Sequence, residues 1–326
     1  ARKLWIGLPA HHLHLGLRAI PRTHHPALGT PWDRQRALQP HAFLESLKLP
    51  NSISGNYPFD GQFFSAPGGH SMHYLDEGEG DGSPVLLLHG NPTWSFFYRK
   101  LILAIREHGR CIAPDHIGCG LSDKPRYPTF GYDLKAHSAN VLSLIDHLEI
   151  DRVRLVVHDW GGAIGLAAFR NMPERIEKIV LLNTAAFPSR DVPARILLCR
   201  LPVIGSILVR GLNGFARPAT RMAVKQTLAP EIKEGFLFPY DNWKNRVAVW
   251  RFVRDIPYEP DHPSMPLLSE TEKSLNQYAQ TPAMACWGMK DFCFHPGFLE
   301  EWEKRWPHLK SHRIEQAGHY LLEDAF

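Results

Sequence analysis

The chain has 326 residues, 44% of them hydrophobic and 21% charged, with a formal net charge of +4. That length buries a full core and suits one large α/β domain with room for an inserted subdomain. No run reaches the ~18 consecutive apolar residues of a membrane span, and no basic face interleaved with aromatics suggests a nucleic-acid partner.

Residues 1–56 are expected to form a basic, His-rich arm. Residues 1–50 hold seven Lys/Arg against two Asp/Glu, so the excess positive charge sits there. The segment lacks the long apolar core and cleavage site of a signal peptide. His11, His12 and His14 read as part of an arm and not as metal ligands, and no metal or cofactor is expected.

From residue 57 apolar strands alternate with helical stretches, the pattern of a mainly parallel, doubly wound sheet. "GQFF" and "SMHYLDEG" form a hairpin turning at Gly68-Gly69. "PVLLLHG" is uniformly apolar, which predicts a central strand covered on both faces. "RCIAPDHIG" is the next strand, "DLKAHSANVLSLIDHLEI" a helix, then "RVRLVVHD" and "IEKIVLLNTAAF" strands. "PAMACWGMKD" and "LKSHRIEQAGH" complete the set. Between them the strand rhythm stops for about ninety residues, too many for a loop, which predicts a helical cap domain over 188–278. The main domain is then 57–187 and 279–326. Within the cap, Val192 to Pro230 carries six Lys/Arg and no acid. Its apolar side is expected to form the cap core and roof the active site, with contact to a membrane or a partner helix the other option. The five cysteines, Cys111, Cys119, Cys199, Cys286 and Cys293, are odd in number and contain no C-x-x-C pair. They point to a reducing, cytoplasmic compartment.

The stretch "LVVHDWGGAIG" reads as a strand, a sharp turn and a helix, with Asp159 at the apex. Such a turn lifts its apex side chain above the carboxyl ends of the sheet and leaves the next backbone N–H at a helix N-terminus. The glycine common two positions before the apex is replaced by Val157. An Asp before a helix can also be a plain N-cap, but two later segments favour chemistry. "MKDF" places Asp291 at a strand end, and "IEQAGHYLLED" places His319 in a loop. Nucleophile, acid and histidine in that order make a triad in which Asp291 orients His319 toward Asp159. His158 is expected to point away and pack.

A carboxylate attacks without a base but suits saturated carbon bearing a leaving group, giving an ester on the enzyme. His319 then activates water against that ester, and backbone N–H groups of Asn91 and Trp160 hold the oxyanion. The side chains of Asn91 and Trp160 supply neutral donors for a departing anion.

"HGNPTWSFFYR", "CIAPDHIGCGLSDKP", "VVHDWGG", "RFVRDIP", "WGMKD" and "AGHYLLED" together resemble haloalkane dehalogenases of the α/β-hydrolase fold. The resemblance implies Asp159 as nucleophile, His319 as base, Asp291 as acid, and Asn91 with Trp160 as the halide pair. The strand before the cap ends in Asn183 and Thr184 with no carboxylate, so the pattern is similar to the third dehalogenase subfamily, whose members tend to form homo-oligomers. Haloalkane hydrolysis to alcohol, halide and a proton is the first expectation. "NTAAFP", "PYDNWKNRVAVWRFVRDIP" and "GMKDFCF" are similar to β-lactone decarboxylases of olefin biosynthesis, which keep the same residues but release a carboxylate as carbon dioxide. Epoxide hydrolysis, with Tyr240 and Tyr258 as acids, comes third, and a non-catalytic hydrolase-fold binding protein last.

Overall fold

Uniformly apolar strands need cover on both faces, and in a computed structural model they have it. The described residues are 49–326, which form one compact unit. The His11, His12, His14 stretch and the rest of the expected arm up to residue 48 lie outside them. Of that arm, 49–56 are described: Asn51–Ser54 is a short helix whose Ile53 is fully buried.

Eight strands make one sheet: β1 Gln62–Ala66, β2 His70–Glu77, β3 Val85–Leu88, β4 Cys111–Pro114, β5 Val153–Asp159, β6 Ile176–Thr184, β7 Ala283–Gly288 and β8 Lys310–Ile314. Their spatial order is β1-β2-β4-β3-β5-β6-β7-β8. β2 runs antiparallel to β1 and β4, and all other pairs are parallel. The hairpin turns through Gly68 and Gly69, both at positive φ as the turn demands. Successive side chains of a strand face opposite sides. Accordingly Leu86 and Leu88 of β3 and Leu155 and Val157 of β5 enter one core, while Leu87 and Val156 enter the other.

The main-domain helices include α1 Arg99–Ile105, α2 Leu134–His147 and α3 Trp160–Phe169. Asp133 caps α2 by accepting the Ala136 N–H at 2.8 Å. Helix α3 is small-residue-rich because it is buried nearly all round. A Cβ on Gly161 would lie 2.0 Å from the Leu88 carbonyl oxygen, so only glycine lets α3 sit this close to β3. Between β6 and β7 the described chain is helical: α4 Ala194–Arg200, α5 Pro202–Ser206 running into a π-helical turn Ile207–Gly211, α6 Ala216–Met222, α7 Pro230–Leu237, α8 Val247–Arg254 and α9 Met265–Ser274. Part of this insertion has a small core of its own, including Cys199, Val209, Tyr240 and Val249. Helix α9 instead packs on α3 and α2, flanking the sheet. Helix α10, Pro296–Arg305, lies between β7 and β8. No described helix is long and apolar enough to cross a membrane.

Candidate active site

The parallel strands end on one edge of the sheet, and β3, which pairs with both β4 and β5, marks where the winding reverses. Crevices at such reversals are where open α/β sheets hold ligands. Asp159 ends β5 there, at φ 52° and ψ −124°. A non-glycine residue in that region is strained and is retained only when its surroundings hold it. They do. Its carbonyl accepts the Thr184 hydroxyl at 2.5 Å, and its Oδ1 accepts the Asn91 N–H at 2.7 Å. The Trp160 backbone N–H also hydrogen-bonds the carboxylate. Gly90 makes room for this, since a Cβ there would stand 2.0 Å from Asp159 Oδ1.

The two backbone donors named from the sequence therefore converge on the Asp159 carboxylate. Oδ1 is held, and Oδ2 is left toward His319, whose Nε2 is 3.7 Å away. On the other side of the ring, His319 Nδ1 lies 2.7 Å from Asp291 Oδ2. The second Asp291 oxygen accepts the Cys293 N–H at 2.6 Å. The structure thus brings Asp159, His319 and Asp291 together in one line.

Burial pushes the Asp159 carboxyl above its ordinary range, and its neighbours, His319 first, only partly pull it back. Burial works the other way on His319, but the Asp291 and then the Asp159 carboxylates outweigh it and leave the imidazole raised.

The Asn91 amide donates one N–H to the Val249 carbonyl at 3.1 Å, which leaves a second N–H and ties the site to α8. No hydrogen bond among the described residues holds the Trp160 indole N–H, and the indole packs 5.5 Å from Phe252. Both side chains line the cavity above Asp159. That cavity, about 230 Å³, takes its floor from the strand ends and much of its wall from the helical insertion. Tyr240 and Tyr258 are not among its lining residues, and the Tyr240 hydroxyl donates to the Thr93 carbonyl at 3.0 Å.

His158 is buried as expected, stacked 4.3 Å from Phe97. It does more than pack. Its Nε2 bonds the His319 carbonyl at 2.9 Å, so it is the donor there. Burial holds this ring well below the usual imidazole range, so it stays neutral. Two further supports escaped sequence reasoning. Asn183 donates to the Gly288 carbonyl and accepts the Gly288 N–H at 2.7 Å, pinning the strand end that leads to Asp291. Asp324 accepts the Gly318 N–H at 2.7 Å and the Lys225 N–H at 2.8 Å, clamping the His319 loop to the insertion. The doubled acid in "LLED" was the only visible signal.

Known proteins resemble this chain. Residues 83–326 match the alpha/beta hydrolase fold family. The chain is 42% identical to a cis-3-alkyl-4-alkyloxetan-2-one decarboxylase of Shewanella oneidensis, over 82% of this chain and 85% of that one. It is 32% identical to haloalkane dehalogenase 2 of Mycobacterium tuberculosis, over 82% and 92%. A solved haloalkane dehalogenase from Bradyrhizobium elkani superposes with a TM-score of 0.75 at 25% identity, over 81% and 92%. The chain belongs to the α/β-hydrolase family, in the group that includes haloalkane dehalogenases and cis-3-alkyl-4-alkyloxetan-2-one decarboxylases.

Proposed function

We propose that this chain decarboxylates cis-3,4-dialkyl β-lactones through a covalent ester on Asp159. The observation that carries this reading is a carboxylate oxygen, Asp159 Oδ2, facing a cavity whose lining is mostly carbon. Two alkyl arms fit such a lining, and the 42% identity to a decarboxylase supports taking the lactone as the first reading.

The ring oxygen of a β-lactone is a carboxylate leaving group on a saturated carbon. Asp159 Oδ2 attacks that carbon, its new C–O bond forms as the ring C–O bond breaks, and the freed carboxylate stays on the neighbouring carbon. Loss of carbon dioxide then sends its electron pair into the new C=C bond while the Asp159 ester bond breaks. Asp159 returns to its starting state, and no water is consumed. Inversion at the attacked carbon followed by anti elimination gives a cis alkene from a cis lactone. During ring opening the Asn91 and Trp160 donors stabilise the departing carboxylate.

Halide release is the second reading, favoured by the neutral indole and amide donors beside Asp159 and by the dehalogenase relatives. Here the ester persists until neutral His319 removes a proton from water, and the 3.7 Å gap from His319 Nε2 to Asp159 Oδ2 sits beside the ester that water would attack. A hydrolase-fold protein without catalysis has no need of this triad, and an epoxide has no acid at Tyr240 or Tyr258. The cytoplasmic setting and homo-oligomer expected from the sequence stay part of the proposal. The test offers a long-chain cis-β-lactone and a brominated alkane in parallel and measures olefin and bromide. Olefin at the higher kcat/KM supports the lactone reading. Bromide at the higher kcat/KM replaces it with dehalogenation, and turnover of neither overturns both.

A further inference from the structure

The insertion has an outer face that the site does not use. Val203, Ile204, Ile207 and Leu212 are 70%, 50%, 52% and 67% exposed, and Leu198 and Leu201 add to them. They lie on α4, α5, the π-helical turn and the residue after it, so one short helical stretch carries a contiguous apolar surface. Single exposed apolar residues are ordinary, but a patch of this kind marks an interaction site. Trp243 borders it, 44% exposed, against Arg210 at 4.4 Å.

The charge along this stretch has one sign. From Val192 to Pro230 there are six Lys/Arg and no Asp or Glu. Arg200 is neutralised by Glu259 at 2.5 Å. Arg195, Arg217, Arg221 and Lys225 remain exposed, with Asp191, Asp241 and Glu259 exposed acids at the margins. The same stretch is also the rim of the cavity: the exposed residues that line it, Asp191, Arg195, Gly214 and Met222, all fall within 191–222.

We propose that this face docks on an anionic lipid surface, with Val203, Ile204, Ile207 and Leu212 entering the headgroup boundary and the surrounding cations meeting lipid phosphates. Apolar side chains with Lys/Arg along the same helical stretch are what an interfacial helix presents, and Trp belongs at that depth. The other occupants fit less well. A second copy would bring the same cations face to face across a two-fold axis. Residues 1–48 of this chain are themselves basic, with seven Lys/Arg against two Asp/Glu. The cavity rim would then open toward the phase in which long-alkyl molecules dissolve.

The experiment is sedimentation of the full chain with vesicles of phosphatidylcholine containing about 30% phosphatidylglycerol. It needs no turnover, so its failure is separate from failure of the proposed reaction. Because residues 1–48 also attract anionic lipid, the decisive comparison is with Val203→Asp/Ile207→Asp, and separately with Leu212→Asp. All three sites are solvent-exposed and outside the cavity, so the variants are expected to keep their Tm and activity. Partition into the pellet should fall by about ten-fold or more for the double variant. Arg217→Glu/Arg221→Glu should weaken it in the same direction, as should high salt. Absence of the parent from the pellet overturns the proposal, as does equal pelleting of the double variant. A parent dimer in velocity sedimentation that the double variant dissolves also overturns it and assigns the face to a second copy.

Discussion

Along the ends of β5 to β8 the three triad side chains are each held in place. Asp159 is fixed at its carbonyl and at Oδ1, His319 at Nδ1 and at its carbonyl, and Asp291 at both oxygens. The helical insertion offers the same cavity mostly carbon, as in Ile196, Phe215, Ala219 and Val253. One half is rigid and fixes what bond can be made; the other has few directional contacts and fixes what molecule fits. The two can therefore be altered separately, and each variant below acts on one half.

The largest effect belongs to the strand half. Asp159→Ala removes the carboxylate oxygen at the cavity floor, and loss of a covalent nucleophile costs about 10⁴-fold or more in kcat. Both lactone and halide turnover should vanish together, with the fold preserved by circular dichroism. Turnover surviving at even a hundredth of the parent rate would move the nucleophile elsewhere.

His319→Gln separates the two readings within that half. Hydrolysis of an alkyl ester needs a base for water, so a brominated alkane should yield one bromide per chain and then stop, with added mass on the Asp159 peptide. Lactone decarboxylation consumes no water and should continue at a reduced rate. The same logic sets the pH response. Hydrolysis needs neutral His319, whose pKa is raised, so it grows with pH into a range above that of an ordinary histidine. Ring opening needs only ionised Asp159 and declines as pH falls through that raised carboxyl value. Lactone turnover that follows the histidine and not the carboxylate would contradict the waterless route.

On the insertion half the effects should be selective. Ala219, on α6, lines the cavity. Ala219→Trp fills part of the volume and leaves every triad contact alone. Even one methylene lost from an apolar pocket is worth roughly 10- to 200-fold in kcat/KM. Long-chain lactones should lose that much while a short brominated alkane is nearly unaffected. A uniform loss on both would mean that the strand half has been disturbed.

This division also explains what could be read from the chain alone. The central parallel strands were legible as continuous apolar runs and β1 and β2 as a hairpin about Gly68-Gly69, and Asp159, Asp291 and His319 because they end or follow successive strands in a fixed order. The missing glycine at Val157 did not prevent the turn, since Val157 is an ordinary buried member of β5 paired with Leu88. Asn183, His158 and Asp324 were not assigned positioning contacts. Their partners, Gly288, His319 and Lys225, are distant in sequence, and no local pattern announces such pairs. The insertion was visible as an interruption, but which of its faces looks inward depends on packing between short helices.

One group joins the halves and supplies the smallest prediction. Asp255 ends α8 and is buried, accepting the Leu134 N–H at 2.8 Å and the Ser264 hydroxyl at 2.7 Å. Burial pushes its carboxyl up to about 7, against the opposing pull of those two donors, with Asp133 adding to the rise and Arg251 reducing it. Between an unfolded value of about 3.9 and this folded one, the native chain binds more protons than the unfolded chain. Its contribution to stability is therefore complete below the lower value and is lost as pH rises through the higher one. Asp255→Asn keeps an acceptor for Leu134 and a donor for Ser264, and it has no proton to lose. Its Tm should be less sensitive to pH between about 4 and about 7 than the parent's, because each step of one pH across that window costs the parent up to about 1.4 kcal/mol that the variant keeps. Above that window the variant should be the more stable of the two, while activity on both substrates is unchanged because Asp255 does not line the cavity. Identical pH–Tm curves for the pair would show that this junction between α8 and α2 is ionised throughout and does not couple the insertion to the sheet.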